Sequence, residues 1–136
     1  MRIAVIRKGH FNAAHQLYVN SWSKERNNEV FGKCANPHFH GHNYELEVKV
    51  TGELDPVTGM LINLKDLKDI IQVEVEEYFD HKNLNIEFEE FRDSPPTTEN
   101  LCVVIYQRLR KVLDPNMDLK IRLSETPRNF AEFPAD

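Results

Sequence analysis

The sequence predicts an α+β domain in which two amphipathic helices cover one face of an antiparallel sheet. Apolar and polar residues alternate over 44–50 and 119–125, as they do in strands with one wet face. Apolar residues instead recur at helical spacing over 64–78 and 101–112. The chain has 136 residues, which suits one hydrophobic core rather than two, so 1–136 is expected to form a single domain.

The N-terminal third is predicted to contain one strand and one long loop. Residues up to His15 fit an extended strand, and the charged stretch 7–9 predicts a bend or bulge within it. Residues 18–39 are polar and irregular, so we expect a loop with at most a short helical turn over 24–30. This loop would deliver Cys34 to a functional site.

Turn and cap residues set the order of the remaining elements. Residues 55–59 read as a turn after the strand, and the apolar run 60–62 predicts a returning hairpin strand. Asn63 can cap the first helix, and Thr97 or Thr98 can cap the second. The last predicted strand carries Glu125 on its apolar face. Because a carboxylate on an apolar face is unusual, this position indicates a functional role.

Composition excludes several classes of function. The net charge of -5 is spread along the chain without a basic stripe, so nucleic acid is not an expected partner. No apolar run is long enough to span a bilayer, and no export signal is visible, so we expect no membrane association. With only two cysteines, Cys34 and Cys102, the chain is expected to be cytoplasmic with free thiols.

The segment around Cys34, His40 and His42 indicates chemistry. If the backbone there is extended, alternate side chains share a face, and the two imidazoles form a chelating pair. A catalytic zinc ion commonly takes three protein ligands, and His15, at the end of a neighbouring strand, is the best-placed third donor. His38 shares the alternation and could replace either imidazole. The alternative is that these histidines are ordinary surface or core residues and bind no metal, since the same short motif also occurs in such proteins.

The order of these motifs resembles the family of 6-pyruvoyl-tetrahydropterin synthases and 6-carboxytetrahydropterin synthases. The resemblance covers nearly the whole chain through the segments 11–15, 31–34, 40–44, 52–60, 63–68, 80–85, 97–100 and 125–126. It implies the tunnelling fold, in which subunits join their antiparallel sheets into a trimeric barrel and two trimers stack as a homohexamer. Active sites between subunits are implied as well.

The resemblance also implies the cofactor and the proton-transfer residues. The cofactor would be a zinc ion (Zn²⁺) held by His15, His40 and His42, with His38 only a neighbour. The substrate would be the small-molecule pterin 7,8-dihydroneopterin triphosphate. Cys34 matches the family's general base. Asp80 and His81 match a pair in which the carboxylate holds the imidazole in one tautomer, so that His81 can exchange protons with the substrate or with Cys34.

Three further positions match the family's pterin pocket. Glu125 corresponds to the residue that anchors the pterin, since a carboxylate can accept parallel hydrogen bonds from its amino and ring N–H groups. Thr98 and Glu99 match positions at the same pocket. Taken without the resemblance, they are equally well explained as a helix cap and a first-turn acid.

Two products and one non-catalytic role fit these residues. Five residues separate Cys34 from His40, a spacing similar to that of the enzymes that eliminate triphosphate to form 6-pyruvoyl-tetrahydropterin. The alternative is 6-carboxytetrahydropterin synthase of queuosine biosynthesis, which uses the same substrate and also releases acetaldehyde. Differences from the family pattern at Ala35, at 38–39 and at 128–133 leave the product open. The non-enzyme alternative is a zinc-stabilised pterin-binding module in which Cys34 closes the metal shell.

Overall fold

A five-stranded mixed sheet organises the computed structural model, which describes residues 1–136. In chain order the strands are β1 (Arg2–His15), β2 (His40–Glu53), β3 (Lys82–Asn83), β4 (Asp118–Thr126) and β5 (Asn129–Phe133). Their spatial order is β3-β1-β2-β4-β5. All neighbours run antiparallel except β3, which pairs in parallel with Ala13 and Ala14 of β1. The predicted α+β class is confirmed, but β3 makes the sheet mixed rather than purely antiparallel.

The central pair of strands, β1 and β2, is continuous over fourteen residues on each side. Arg2 lies opposite Glu53 and His15 lies opposite His40, with no change of register between them. The predicted interruption over 7–9 is therefore wrong. The charged side chains there project to solvent, and Gly9 lets the strand pass close to a helix, because a Cβ at Gly9 would lie 3.1 Å from Ile71 Cγ2.

The loop after β1 contains more helix than the sequence predicts. Helix α1 spans Lys24–Phe31 and a 3₁₀ turn follows over Gly32–Ala35. The buried Asn27 explains this order, because its amide group accepts from the Val19 N–H and donates to the Val19 and Ser23 carbonyl oxygens. Side-chain hydrogen bonds rather than an apolar stripe hold α1, so hydrophobic periodicity does not reveal it.

Two longer helical segments cover the sheet. The first comprises α2 (Leu64–Ile71), a π-helical stretch (Gln72–Glu76) and α3 (Glu77–Phe79), and it begins at the predicted cap Asn63. After the short α4 (Leu84–Glu87) and a 3₁₀ turn (Glu89–Phe91), the second is α5 (Thr98–Val112). Thr97 caps α5 by accepting from the Asn100 N–H.

The predicted hairpin after β2 is wrong. The turn itself forms, with the Gly59 N–H donating to the Asp55 carbonyl oxygen at 2.8 Å. The apolar run that follows it pairs with no strand. Leu61 instead packs against the core and over Gly52, where a Cβ would lie 2.8 Å from Leu61 Cδ1. The run therefore covers one end of the sheet before α2 begins.

The hydrophobic core lies between the helices and one face of the sheet. Phe11, Tyr44 and Ile121 supply fully buried side chains from β1, β2 and β4, and Leu67 and Ile105 supply them from the helices. The opposite face of the sheet carries mainly polar side chains, in agreement with the predicted alternation. None of the helices is long and apolar enough to span a bilayer.

Candidate metal centre and active site

Three imidazoles meet where β1 ends and β2 begins. The register places His15 opposite His40, and His42 projects from the same face of β2. The ring centroids lie 4.5 Å apart for His15 and His40, 5.1 Å for His15 and His42, and 5.0 Å for His40 and His42. One nitrogen from each ring lies within 4.8 Å of the others, so the three could hold a metal ion. His38 is exposed and is not part of this cluster.

The innermost ring, His15, is held in one tautomer. Its Nδ1 lies 2.7 Å from the Pro96 carbonyl oxygen, which can only accept, so Nδ1 carries the hydrogen and donates. Nε2 is then a buried lone pair, and it has no hydrogen-bond partner. Burial lowers the pKa of His15 from 6.5 to about 4. The imidazole is therefore neutral near pH 7, which is the form that binds metals.

The other two rings each share one of these properties with His15. Burial, with a contribution from the neighbouring His42, lowers the pKa of His40. Nε2 of His42 is buried without a hydrogen-bond partner, and in the whole chain only His15 Nε2 shares that condition. Unsatisfied buried polar atoms are costly, and two of them within one cluster of imidazoles fit a bound ion. Three imidazoles form the donor set of an open zinc site, so the residues fit zinc.

A carboxylate borders the imidazole cluster. Glu125, near the end of β4, has Oε1 at 3.4 Å from His42 Nε2 and a side chain that is 23% exposed. The Thr98 hydroxyl, in the first turn of α5, donates to Glu125 Oε2. This contact orients the carboxylate and leaves Oε1 directed towards the cluster. The prediction that Glu125 lies on the apolar face of its strand is confirmed.

Glu99 lies beside the Thr98–Glu125–His42 contacts and takes no part in them. It is exposed and, together with Thr98, lines a cavity of ≈ 590 Å³ next to β5. The rest of that cavity is formed by Arg128, Asn129, Phe130 and Ala131. The cavity is large enough for a drug-sized ligand or a comparable ring system.

Cys34 lies in the 3₁₀ turn that precedes β2, and its residue is half-buried. Its carbonyl oxygen accepts from the Leu17 N–H at 2.8 Å, which ties the turn to the chain just beyond His15. The thiol is not a member of the metal-binding cluster. The turn is therefore anchored beside the imidazoles without completing their ligand set.

Asp80 and His81 form a pair at the outer edge of β1. Asp80 Oδ2 accepts from His81 Nδ1 at 2.8 Å, while Oδ1 accepts from the Asn12 N–H at 2.8 Å. The Asn12 hydrogen bond is the main cause of a lowered pKa at Asp80. His81 adopts a positive φ of 59°, an uncommon conformation for a residue with a side chain. Its side chain is 81% exposed, and no hydrogen bond joins the pair to the cluster.

Comparison with known proteins agrees with this arrangement. The model of the 6-pyruvoyl tetrahydropterin synthase family matches residues 4–136. A 6-pyruvoyl tetrahydrobiopterin synthase from Pongo abelii is 44% identical over 129 residues, which cover 95% of this chain and 89% of the relative. The chain belongs to the 6-pyruvoyl tetrahydropterin synthase family. The predicted resemblance is thus confirmed.

Similarity extends to solved structures and to a relative named for another product. The Caenorhabditis elegans 6-pyruvoyl tetrahydropterin synthase superposes with a TM-score of 0.94 and 34% identity, covering 100% of this chain and 97% of that one. A protein from Archaeoglobus fulgidus, named a putative 6-carboxy-5,6,7,8-tetrahydropterin synthase, is 36% identical over 102 residues, covering 74% of this chain and 78% of its own. Membership of the synthase family confirms the prediction of an enzyme, a 6-pyruvoyl-tetrahydropterin synthase-like lyase.

Several residues that hold His15 and the chain next to it in place are not predicted from the sequence. The Pro96 carbonyl that orients His15 is a backbone group and leaves no signal in residue identity. The alternation over 44–50 predicts only that Tyr44 is buried, yet its hydroxyl lies 3.4 Å from His15 Nδ1. Gln16 and Asn85 hold the chain next to His15. Gln16 directly follows the segment 11–15 and Asn85 ends the segment 80–85, but neither residue type indicates this contact.

Proposed function

We propose that this chain converts 7,8-dihydroneopterin triphosphate into 6-pyruvoyl-tetrahydropterin, with a zinc ion bound by His15, His40 and His42. The observation that carries the proposal is the pair of buried Nε2 atoms that make no hydrogen bond, in a cluster of three imidazoles. Family membership and the names of the relatives support the reaction. The five-residue spacing between Cys34 and His40 favours the pyruvoyl product.

Each side chain around the cluster has a role consistent with its contacts. Bound zinc would supply Lewis-acid polarisation of the substrate's side-chain oxygens. The Glu125 carboxylate binds the amino and ring N–H groups of the pterin, and the Thr98 hydroxyl keeps it in orientation. Glu99 lines the neighbouring cavity, where it contributes to the same pocket.

Proton transfer is assigned to Cys34 and to the Asp80–His81 pair. Cys34 takes a proton from the substrate side chain as the general base. Asp80 holds His81 with Nδ1 protonated, which leaves Nε2 available to exchange protons with the substrate or with the thiol. Because the pair is exposed at a sheet edge in one subunit, we propose that a homohexamer of two stacked trimeric barrels completes each site between subunits.

We also propose that the protein functions in the cytoplasm. Both cysteines are free, with Cys34 half-buried and Cys102 buried in the core. Free thiols, one of them needed for catalysis, suit a reducing compartment. A small-molecule pterin is the only partner this function requires besides other copies of the chain.

Product analysis tests the proposed reaction. Zinc-loaded protein would be incubated anaerobically with 7,8-dihydroneopterin triphosphate and the pterin identified by mass spectrometry. A 6-pyruvoyl product supports the proposal. A 6-carboxy product with acetaldehyde would instead support the queuosine pathway, which the name of the Archaeoglobus relative makes the second candidate. Pterin binding without turnover would favour the non-catalytic module.

A further inference from the structure

Gln16 connects the metal-binding cluster to the turn that carries the thiol. It directly follows His15, and its Nε2 donates to the Ala35 carbonyl oxygen at 2.8 Å. The next backbone group along, the Leu17 N–H, donates to the Cys34 carbonyl oxygen at 2.8 Å. The turn is therefore held to the end of β1 by two parallel contacts, one from a side chain and one from the backbone.

The backbone of Gln16 is itself held by a third segment. The Asn85 side chain accepts from the Gln16 N–H at 2.7 Å and donates to the Gln16 carbonyl oxygen at 2.8 Å. The Asn85 side chain thus supplies the two hydrogen bonds that a neighbouring strand would give to Gln16, at the point where β3 has ended. Asn85 belongs to the segment that follows Asp80 and His81. Three segments bearing candidate site residues therefore converge on Gln16.

We propose that Gln16 is a positioning residue for catalysis, whose side chain holds the Cys34 turn at a fixed distance from His15. The inference rests on the proposed role of Cys34 as the base. The side chain of Gln16 contacts the turn while its main chain is secured by Asn85, so removing the amide group leaves the turn with only its Leu17 contact and leaves β1 in place. A shift of the thiol on the ångström scale strongly reduces a proton-transfer rate, since such steps depend on near-contact geometry.

The test compares Gln16→Met, which keeps the length of the side chain but cannot donate, with two other variants. Gln16→Lys restores a donor of similar reach. Gln107→Met is the matched control, because Gln107 is exposed on α5 and makes no hydrogen bond through its side chain. The zinc-loaded chain of 136 residues is used, with zinc content measured for every variant.

Hydrogen exchange of the Leu17 amide reports the docking of the turn without any need for turnover. One neutral hydrogen bond changes an opening equilibrium by a factor of about two to ten, so exchange in Gln16→Met should accelerate by about that factor. We expect kcat to fall while KM and zinc content stay at wild-type values, because the pterin anchor and the imidazoles are untouched. Gln16→Lys should recover both exchange protection and kcat.

Two results would overturn the assignment. Exchange in Gln16→Met equal to that in Gln107→Met would show that the side chain does not hold the turn. Faster exchange with unchanged kcat would show that the position of the turn does not matter for the reaction. Full turnover by Cys34→Ala is a separate outcome: it would remove the thiol from the proposed reaction, whereas faster exchange would still identify Gln16 as the anchor of the turn.

Discussion

Acid should destabilise the metal-free protein through His15. Burial lowers the pKa of His15 to about 4, against 6.5 for an unperturbed imidazole. Between these values the unfolded chain binds a proton that the folded chain does not, so falling pH favours unfolding. The full difference corresponds to about 3 kcal/mol, and about 2 kcal/mol of it is lost between pH 7.5 and pH 5. Well above pH 6.5 His15 does not lower the free energy of unfolding, and almost the whole reduction has developed by pH 4.

Urea denaturation in the presence of a chelator measures this effect. A loss of about 2 kcal/mol lowers the urea midpoint by about 1 M for a small protein. His15→Gln removes the titrating ring, so the difference between wild type and variant should shrink by that amount as pH falls from 7.5 to 5. His38→Gln, which changes an exposed histidine outside the cluster, should leave the pH dependence unaltered. A difference between wild type and His15→Gln that is constant with pH would refute the reasoning.

Three further predictions concern the cluster and its surroundings. Cys34→Ala should retain zinc by elemental analysis and lose most turnover, whereas His42→Ala should lose zinc as well; loss of metal from both would make the thiol a ligand. Glu125→Gln cannot offer two equivalent acceptors to the pterin, so its KM should rise about tenfold or more in steady-state kinetics, and an unchanged KM would exclude it as the anchor. Tyr44→Phe removes the weaker of two contacts to His15 Nδ1, so zinc affinity in a chelator competition should fall by no more than about tenfold. A larger loss would mean that the hydroxyl, rather than Pro96, orients the ring.

Much of the fold follows from local patterns in the sequence. The alternation along β2 and β4 and the caps Asn63 and Thr97 were predicted because each depends on neighbours within a few residues. β3, with two residues, is too short to show a period, and the residue pattern predicts no strand at β5. The run 60–62 has strand-like composition but covers a sheet end, which only the tertiary arrangement determines.

The cluster shows where alternation fails as a guide. If the strand were extended from 38 to 42, His38, His40 and His42 would all share one face. Phe39 instead takes a φ of 66°, so the regular strand begins at His40 and His38 is left exposed. An aromatic residue in the left-handed backbone conformation cannot be predicted reliably from the sequence. The orientation of His15 by a backbone carbonyl is equally invisible, since it depends on how the segment before α5 packs.

The candidate metal ligands and the candidate proton-transfer groups are held by different means. His15, His40 and His42 project from the two central strands, whose fourteen-residue register fixes their spacing. Cys34 and the Asp80–His81 pair lie on connecting segments and depend on a few polar contacts with residues at or just after the end of β1. Strand register resists small changes, whereas a loop contact can be removed by one substitution. Changes at these polar contacts should therefore impair turnover while the metal site persists, and changes that disturb the β1–β2 pairing should abolish both.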